Sequence, residues 1–207
     1  MAWRNGSQME LVVKRPFSVT VFCGSRVSSD PRFVGVAQEV GQWIGQRGGR
    51  LVYGGGNAGL MGQVARSTQQ HGGSVMGVIP EALVSKELAN EACDELHVVR
   101  NMHERKAMMA EEADVFLAIP GGIGTFEEFF EVWTWKQLGY HAKPIGLLNS
   151  HGYYNGLLSF MQQTVDVDFV SAWQMDLIHV HSDTIKLLAL LAEQWSESRR
   201  AMDTNAI

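Results

Sequence analysis

Along most of this chain a short apolar run, of strand length, breaks at a turn rich in glycine or basic residues and passes into a segment whose apolar residues recur at helical spacing. Repetition of that unit leaves few folds open. Strands joined through helices cannot pair as hairpins, so they cross over, lie parallel and carry helices on both faces. The expected architecture is a single-domain α/β fold, a doubly wound, Rossmann-like parallel sheet. Strands are expected over 17–23, 51–53, 74–79, 95–99, 115–119, 144–148 and 177–180. The helices between and after them span about 30–47, 60–71, 101–112, 126–138, 153–165 and 183–195. Asp30 and Pro31 suit the start of the first helix, and Gly48 and Gly49 its end. Residues 80–93 are a polar connection. Residues 1–15 are expected to form a flexible extension, 16–197 the nucleotide-binding domain and 198–207 a flexible tail.

In this class ligands sit beyond the carboxyl ends of the strands. The turns expected to meet there are Gly24-Ser25-Arg26, Gly54 through Gly59, Arg105-Lys106 and Pro120 through Glu128. The last reads PGGIGTFEE. Its glycines Gly121, Gly122 and Gly124 allow a tight turn and close approach to a ligand, while the first amides of the following helix lack internal partners and suit a phosphate. Thr125 adds a hydroxyl. The same residues also fit a capping box, with Thr125 accepting from the N3 amide and Glu128 reaching back. Helical phase puts Phe126, Phe129, Phe130 and Trp133 on one side and Glu128, Val132 and Trp135 on the other, so the helix is expected to be covered twice. That places Glu128 in a crevice near the glycine turn.

Gly54, Gly56 and Gly59 satisfy the dinucleotide fingerprint after a strand and before a helix, and Glu81 stands where a ribose-binding acid would. The pattern is short, and other strand ends are equally shaped for phosphate. Arg105 and Lys106 are either solvated surface charges or ligand contacts. The first reading suits an arbitrary Arg-Lys pair, and their place between two strand ends adds weight to the second.

The chain has 207 residues, enough for one sizeable core, and a net charge of −5 that argues against a general nucleic-acid surface. No apolar run has membrane-spanning length and residues 1–15 lack a signal segment, so a cytoplasmic protein is expected. The two cysteines, Cys23 and Cys93, form neither a disulfide framework nor a metal motif. No metal is expected. His179 and His181 mark a sheet edge, and His103 decorates the Arg105 block. Trp133 and Trp135 are read as core and subunit contact. Met102, Met108 and Met109 either fill core or line an adaptable pocket.

Four blocks, Cys23-Gly24-Ser25-Arg26, Gly54-Gly55-Gly56 with Gly59-Leu60-Met61-Gly62, Met102 with Arg105-Lys106, and Pro120-Gly121-Gly122 with Gly124-Thr125 and Glu128, resemble the LONELY GUY (LOG) family. Its members are cytokinin riboside 5'-monophosphate phosphoribohydrolases, often labelled lysine decarboxylases. The similarity covers about 17–195. It implies hydrolysis of the N-glycosidic bond of a nucleoside 5'-monophosphate with an N6-modified adenine, without cofactor, by a homodimer whose sites lie near the subunit contact. The family's catalytic pair falls on Arg105 and Glu128. Its substrate contacts fall on Lys106, Gly121, Gly122, Ile123, Gly124, Thr125, Phe126 and Glu127, on Glu87 and Thr134 where the alignment is looser, and in the shared blocks on Ser25, Gly54, Gly56 and Met102.

Cleaving a ribosyl C–N bond builds positive charge on the sugar and negative charge on the departing purine. A carboxylate at Glu128 suits the first and a guanidinium at Arg105 the second or the phosphate. The decarboxylase label finds no Schiff-base lysine with a partner acid among Lys86, Lys106, Lys136, Lys143 and Lys186. A non-catalytic nucleotide or cofactor carrier is the stronger rival, and a nicotinamide oxidoreductase the third.

Overall fold

The computed structural model describes residues 16–26, 28–86 and 88–204. The expected extension at 1–15 and Glu87 lie outside those residues. The strands are β1 (Ser18–Phe22), β2 (Arg50–Tyr53), β3 (Ser74–Pro80), β4 (Glu95–Val99), β5 (Val115–Ala118), β6 (Ile145–Leu148) and β7 (His179–His181). The helices are α1 (Arg32–Gln46), α2 (Gly59–Gln70), α3 (Met102–Glu112), α4 (Ile123–Gln137), α5 (Asn155–Asp166), α6 (Ala172–Met175) and α7 (Thr184–Thr204). They build the expected doubly wound sheet. Seven strands lie in the order β4-β3-β2-β1-β5-β6-β7, and every pairing is parallel.

Side chains of the strands alternate between two cores. Val19 and Val21 of β1 join Leu51, Val115 and Leu117 beneath α1, α2 and α7, while Phe22, Val52, Phe116 and Ala118 join the opposite core beneath α3, α4 and α5. Helices α1 and α2 each present an apolar stripe to their layer. In α1 the stripe is Val36, Ala37, Val40, Trp43 and Ile44, spaced as one helical face. Asp30 does accept from the Arg32 amide, but Pro31 occupies the cap position itself.

The order of strands places the site. From β1 the chain moves outward through β2 and β3 to β4, then returns to the far side of β1 with β5 and proceeds to β6 and β7. The turns after β1 and β5 therefore flank a topological switch point, where crevices form beyond the strand ends. The two turns touch. The Gly24 amide donates to the Pro120 carbonyl at 3.2 Å.

Differences from the sequence reading fall in the second half. The last strand is His179–His181 rather than 177–180, which makes the two histidines part of an edge strand. Helix α7 continues to Thr204, through most of the segment at 198–207 where a tail was expected. The connection from α5 to β7 holds the short α6, whose Ser171 and Gln174 close a capping box. No helix among the described residues is long and apolar enough to cross a membrane.

Candidate active site

Beyond the carboxyl ends of β1, β2 and β5 lies a cavity of about 570 Å³. Ser25, Arg26, Gly54, Met102, Arg105, Gly121, Gly122, Ile123, Gly124, Thr125, Glu127 and Glu128 all line it. Three of the four turns singled out in the sequence thus meet Arg105 of the fourth at one rim.

Arg105 comes from α3, whose start is fixed by the Asn101 side chain accepting from the Glu104 amide. One turn of helix separates Arg105 from Met109, and both are buried on the inward face. The Thr20 hydroxyl donates to the Met109 carbonyl and anchors that face to β1. The guanidinium ends against Gly54. A Cβ added there would stand 1.9 Å from Arg105 Nη2, so residue 54 must be glycine for Arg105 to occupy this position.

Glu128 lies in the second turn of α4. Arg105 Nη2 and Glu128 Oε1 are 3.8 Å apart, with 5% and 8% of the two residues exposed. Cys23 packs beside them. Burial first, and the Glu128 charge second, push its thiol pKa far up against the opposing pull of Arg105, so it is a protonated wall and not a nucleophile.

Helix α4 begins earlier than the sequence suggested. Gly122 is its cap residue and makes no side-chain cap bond, which puts Thr125 and Glu128 inside the helix and removes the capping box. The Phe126 amide donates to Gly122, but the Ile123, Gly124 and Thr125 amides find no acceptor among the described residues. Added Cβ atoms at Gly122 and Gly124 would meet nothing within 4 Å, so the helix start is open to the cavity. Gly121 is different. A Cβ there would lie 2.1 Å from Thr125 Oγ1 and 2.8 Å from the Gly24 amide. Its absence lets the β1 and β5 turns close on each other.

The dinucleotide fingerprint serves packing. Gly54 makes room for Arg105, Gly56 forms a bridge with Ala89, and Gly59, at φ 59°, lies against the Ser25-Arg26 backbone. The Leu60 amide near the start of α2 donates to the Gly24 carbonyl at 2.9 Å. A pyrophosphate would have to compete for that amide with the chain itself.

Lys106, Phe126 and Thr134 stand off the cavity. Lys106 Nζ reaches across to α4 and pairs with Glu127 and Glu131. Partial burial works to lower its pKa, yet the two carboxylates outweigh it and hold the amine above its ordinary value. Phe126 packs edge-on against Tyr154, 6.2 Å between ring centres. Thr134 is exposed and donates to the Phe130 carbonyl. Within the chain, helix α4 meets Lys106 of α3 on one side, and Tyr154 and the Gln174 carbonyl, which accepts from Trp133 Nε1, on the other.

Sequence reasoning overlooked Phe33, Leu83 and Tyr153, which also line the cavity. Of the methionines, Met102 and Met109 line it together with Met61, whereas Met108 packs in the core. The only signal for Tyr153 was its place just past a strand end, in HGYYN after β6. No group of acidic, histidine and cysteine side chains among the described residues could hold a metal.

Residues 61–191 match the family model described as "Possible lysine decarboxylase". The chain is 44% identical over 185 residues to cytokinin riboside 5'-monophosphate phosphoribohydrolase LOG7 of Arabidopsis thaliana, covering 89% of this chain and 85% of that protein. It is 47% identical over 166 residues to LOG5 of the same plant, covering 80% of this chain and 73% of that one. The chain belongs to the LOG family. Similarity in shape reaches further than the LOG family. The Moco carrier protein from Chlamydomonas reinhardtii superposes with a TM-score of 0.66 at 21% identity, covering 89% of this chain and 99% of that one, which shows a shared fold alone. The LOG blocks around Arg105 and Glu128 are the residues that meet at the cavity.

Proposed function

We propose that this chain hydrolyses the N-glycosidic bond of cytokinin riboside 5'-monophosphates, releasing the free base and ribose 5-phosphate. The observation that carries the reading is the facing pair Arg105 and Glu128 at the wall of a cavity whose rim is the open start of α4. The amides of Ile123, Gly124 and Thr125, without an acceptor among the described residues, suit a 5'-phosphate, with Arg26 as a nearby cation. A sugar held there presents its anomeric carbon toward Glu128, one further turn along the same helix. Glu128 then stabilises the oxocarbenium-like sugar or orients the attacking water. Arg105 offsets charge on the departing base or the phosphate. Water adds its oxygen to the anomeric carbon, and its proton ends on the base nitrogen. Met61, Leu83 and Met102 offer an apolar wall of adaptable shape to an N6 substituent. Glu87, Lys106, Phe126 and Thr134 remain proposed substrate contacts by resemblance alone.

Incubation with isopentenyladenosine monophosphate, with chromatography of the products, tests the reading. Free base is expected; tight binding without base release would favour a carrier of the kind that shares this fold. The resemblance further implies a cytoplasmic homodimer. Exposed Phe160, Phe169 and Trp173 around α5 and α6 are the surface we propose a second copy covers, and sedimentation in solution would show a monomer if that is wrong.

A further inference from the structure

Three consecutive carbonyls in the turn after β5 are each held by a bond from elsewhere in the fold. Tyr154 donates its hydroxyl to Ile119 at 2.8 Å, the Gly24 amide donates to Pro120 at 3.2 Å, and Tyr153 donates its hydroxyl to Gly121 at 2.6 Å. The two tyrosines are adjacent in sequence and arrive from one short turn after β6. There His151 and Gly152 both take left-handed backbone angles, and the Tyr154 amide donates to the Asn149 side chain. The Tyr153 ring is braced edge-on by Phe33 at 5.2 Å and by Tyr154 at 4.9 Å.

Tyr154 is almost fully buried and its hydroxyl satisfies a core carbonyl. Tyr153 is 41% exposed, lines the cavity, and spends its hydroxyl on the carbonyl of Gly121, the residue before the cap of α4. The Gly121–Gly122 peptide is trans, so holding its carbonyl on Tyr153 fixes the Gly122 N–H on the opposite side. Glycines on both sides of that bond would otherwise let the peptide rotate.

We propose that Tyr153 is a positioning residue for the phosphate seat: its hydroxyl locks the Gly121–Gly122 peptide so that the Gly122 N–H, at the cap of α4 beside the Ile123, Gly124 and Thr125 amides, is presented to the 5'-phosphate before substrate arrives. This rests on the reading that the start of α4 holds that phosphate. Preorganised amides need no reordering on binding, which is where the affinity comes from.

The test compares the wild-type chain with Tyr153→Phe, which keeps the ring and its packing and deletes the hydroxyl. Ribose 5-phosphate serves as the phosphate-bearing inhibitor and adenosine as the inhibitor without phosphate. The loss of one bond to a carbonyl is expected to weaken ribose 5-phosphate by roughly tenfold, with adenosine unchanged and the KM for nucleoside monophosphate raised more than kcat is lowered. Equal ribose 5-phosphate affinity in the two proteins overturns the proposal. So does a parallel loss for adenosine, which would mark general damage to the cavity. If the wild-type chain itself fails to bind ribose 5-phosphate, the phosphate seat is wrong and the role of Tyr153 falls with it.

Discussion

Arg105 Nη2 and Glu128 Oε1 stand 3.8 Å apart, beyond a direct hydrogen bond and close enough for each charge to feel the other in a nearly buried setting. The pair is not a brace of the kind Lys106 makes with Glu127 and Glu131, where a cation bridges two carboxylates on the flank of α4. Arg105 and Glu128 instead arrive from different helices at one cavity wall, with Cys23 beside them and Gly54 behind the guanidinium. Their spacing leaves room for substrate atoms to come between or beside them.

Replacing Glu128 by Gln keeps shape and removes the charge that opposes the developing sugar cation. Base release is expected to fall by about a thousandfold, with the circular dichroism spectrum unchanged. Arg105→Ala is expected to lose activity to a similar degree and also to lower the melting temperature, because Glu128 then keeps a buried charge without its facing cation. A fully active Glu128→Gln protein, measured by release of free base, would remove the mechanism.

Gly54→Ala tests the placement of Arg105 without touching either charged residue. The new Cβ would lie 1.9 Å from Nη2, so the guanidinium must move. A shift of about 1 Å in a catalytic group costs on the order of a hundredfold in rate. The expected signature is a large fall in kcat with only a modest loss of stability. An unchanged kcat would show that Arg105 tolerates displacement.

Gly54 also illustrates what the sequence could and could not tell. The alternation of strand and helix fixed the sheet, and the switch point then brought the turns after β1, β2 and β5 together, so most of the cavity followed from topology. Which glycines face a ligand did not follow. Gly54, Gly56 and Gly59 carry the spacing of a dinucleotide motif but serve Arg105, Ala89 and the Ser25-Arg26 backbone, contacts that depend on residues distant in the chain. The capping box at Thr125 misled for a related reason, since glycines at 122 and 124 did not stop the helix from starting at Ile123. Beyond the place of Tyr153 just past a strand end, its role was not legible, because its partner, the Gly121 carbonyl, is a backbone atom that no residue pattern announces.

Acid stability should report on His141. Its Nδ1 accepts from the Lys143 amide, which leaves Nε2 to donate to the Val132 carbonyl, so both nitrogens are committed as a neutral ring. Burial, opposed by the Val132 bond and aided by Lys136 and Lys143, holds its pKa below the ordinary 6.5. The unfolded chain therefore binds more protons just below that value, and stability rises with pH through the window. The contribution is complete above 6.5 and is lost as pH falls through the lowered folded value. His179, also held low chiefly by burial, acts in the same direction. Melting temperature measured from pH 7.5 down to about 5 is expected to fall in the wild-type chain and to fall less steeply in His141→Gln. Parallel curves for the two proteins would contradict the assignment.

The strongest discrimination should be against substrates without a 5'-phosphate. The Ile123, Gly124 and Thr125 amides find no acceptor among the described residues, and the glycines at 122 and 124 leave them uncovered. Bonds from such amides to a phosphate are charge-assisted, and each contributes about 1.5–3 kcal/mol. Two of them working at the transition state already amount to roughly two to four orders of magnitude in kcat/KM. Adenosine is thus expected to be turned over at least about a hundredfold less efficiently than AMP, through geometry at Glu128 as well as through affinity. Adding free inorganic phosphate to adenosine should restore only part of that loss, because the severed link no longer holds the sugar in place. Equal efficiency on AMP and adenosine would mean that the open start of α4 does not bind the part of the substrate that positions the bond to be cut.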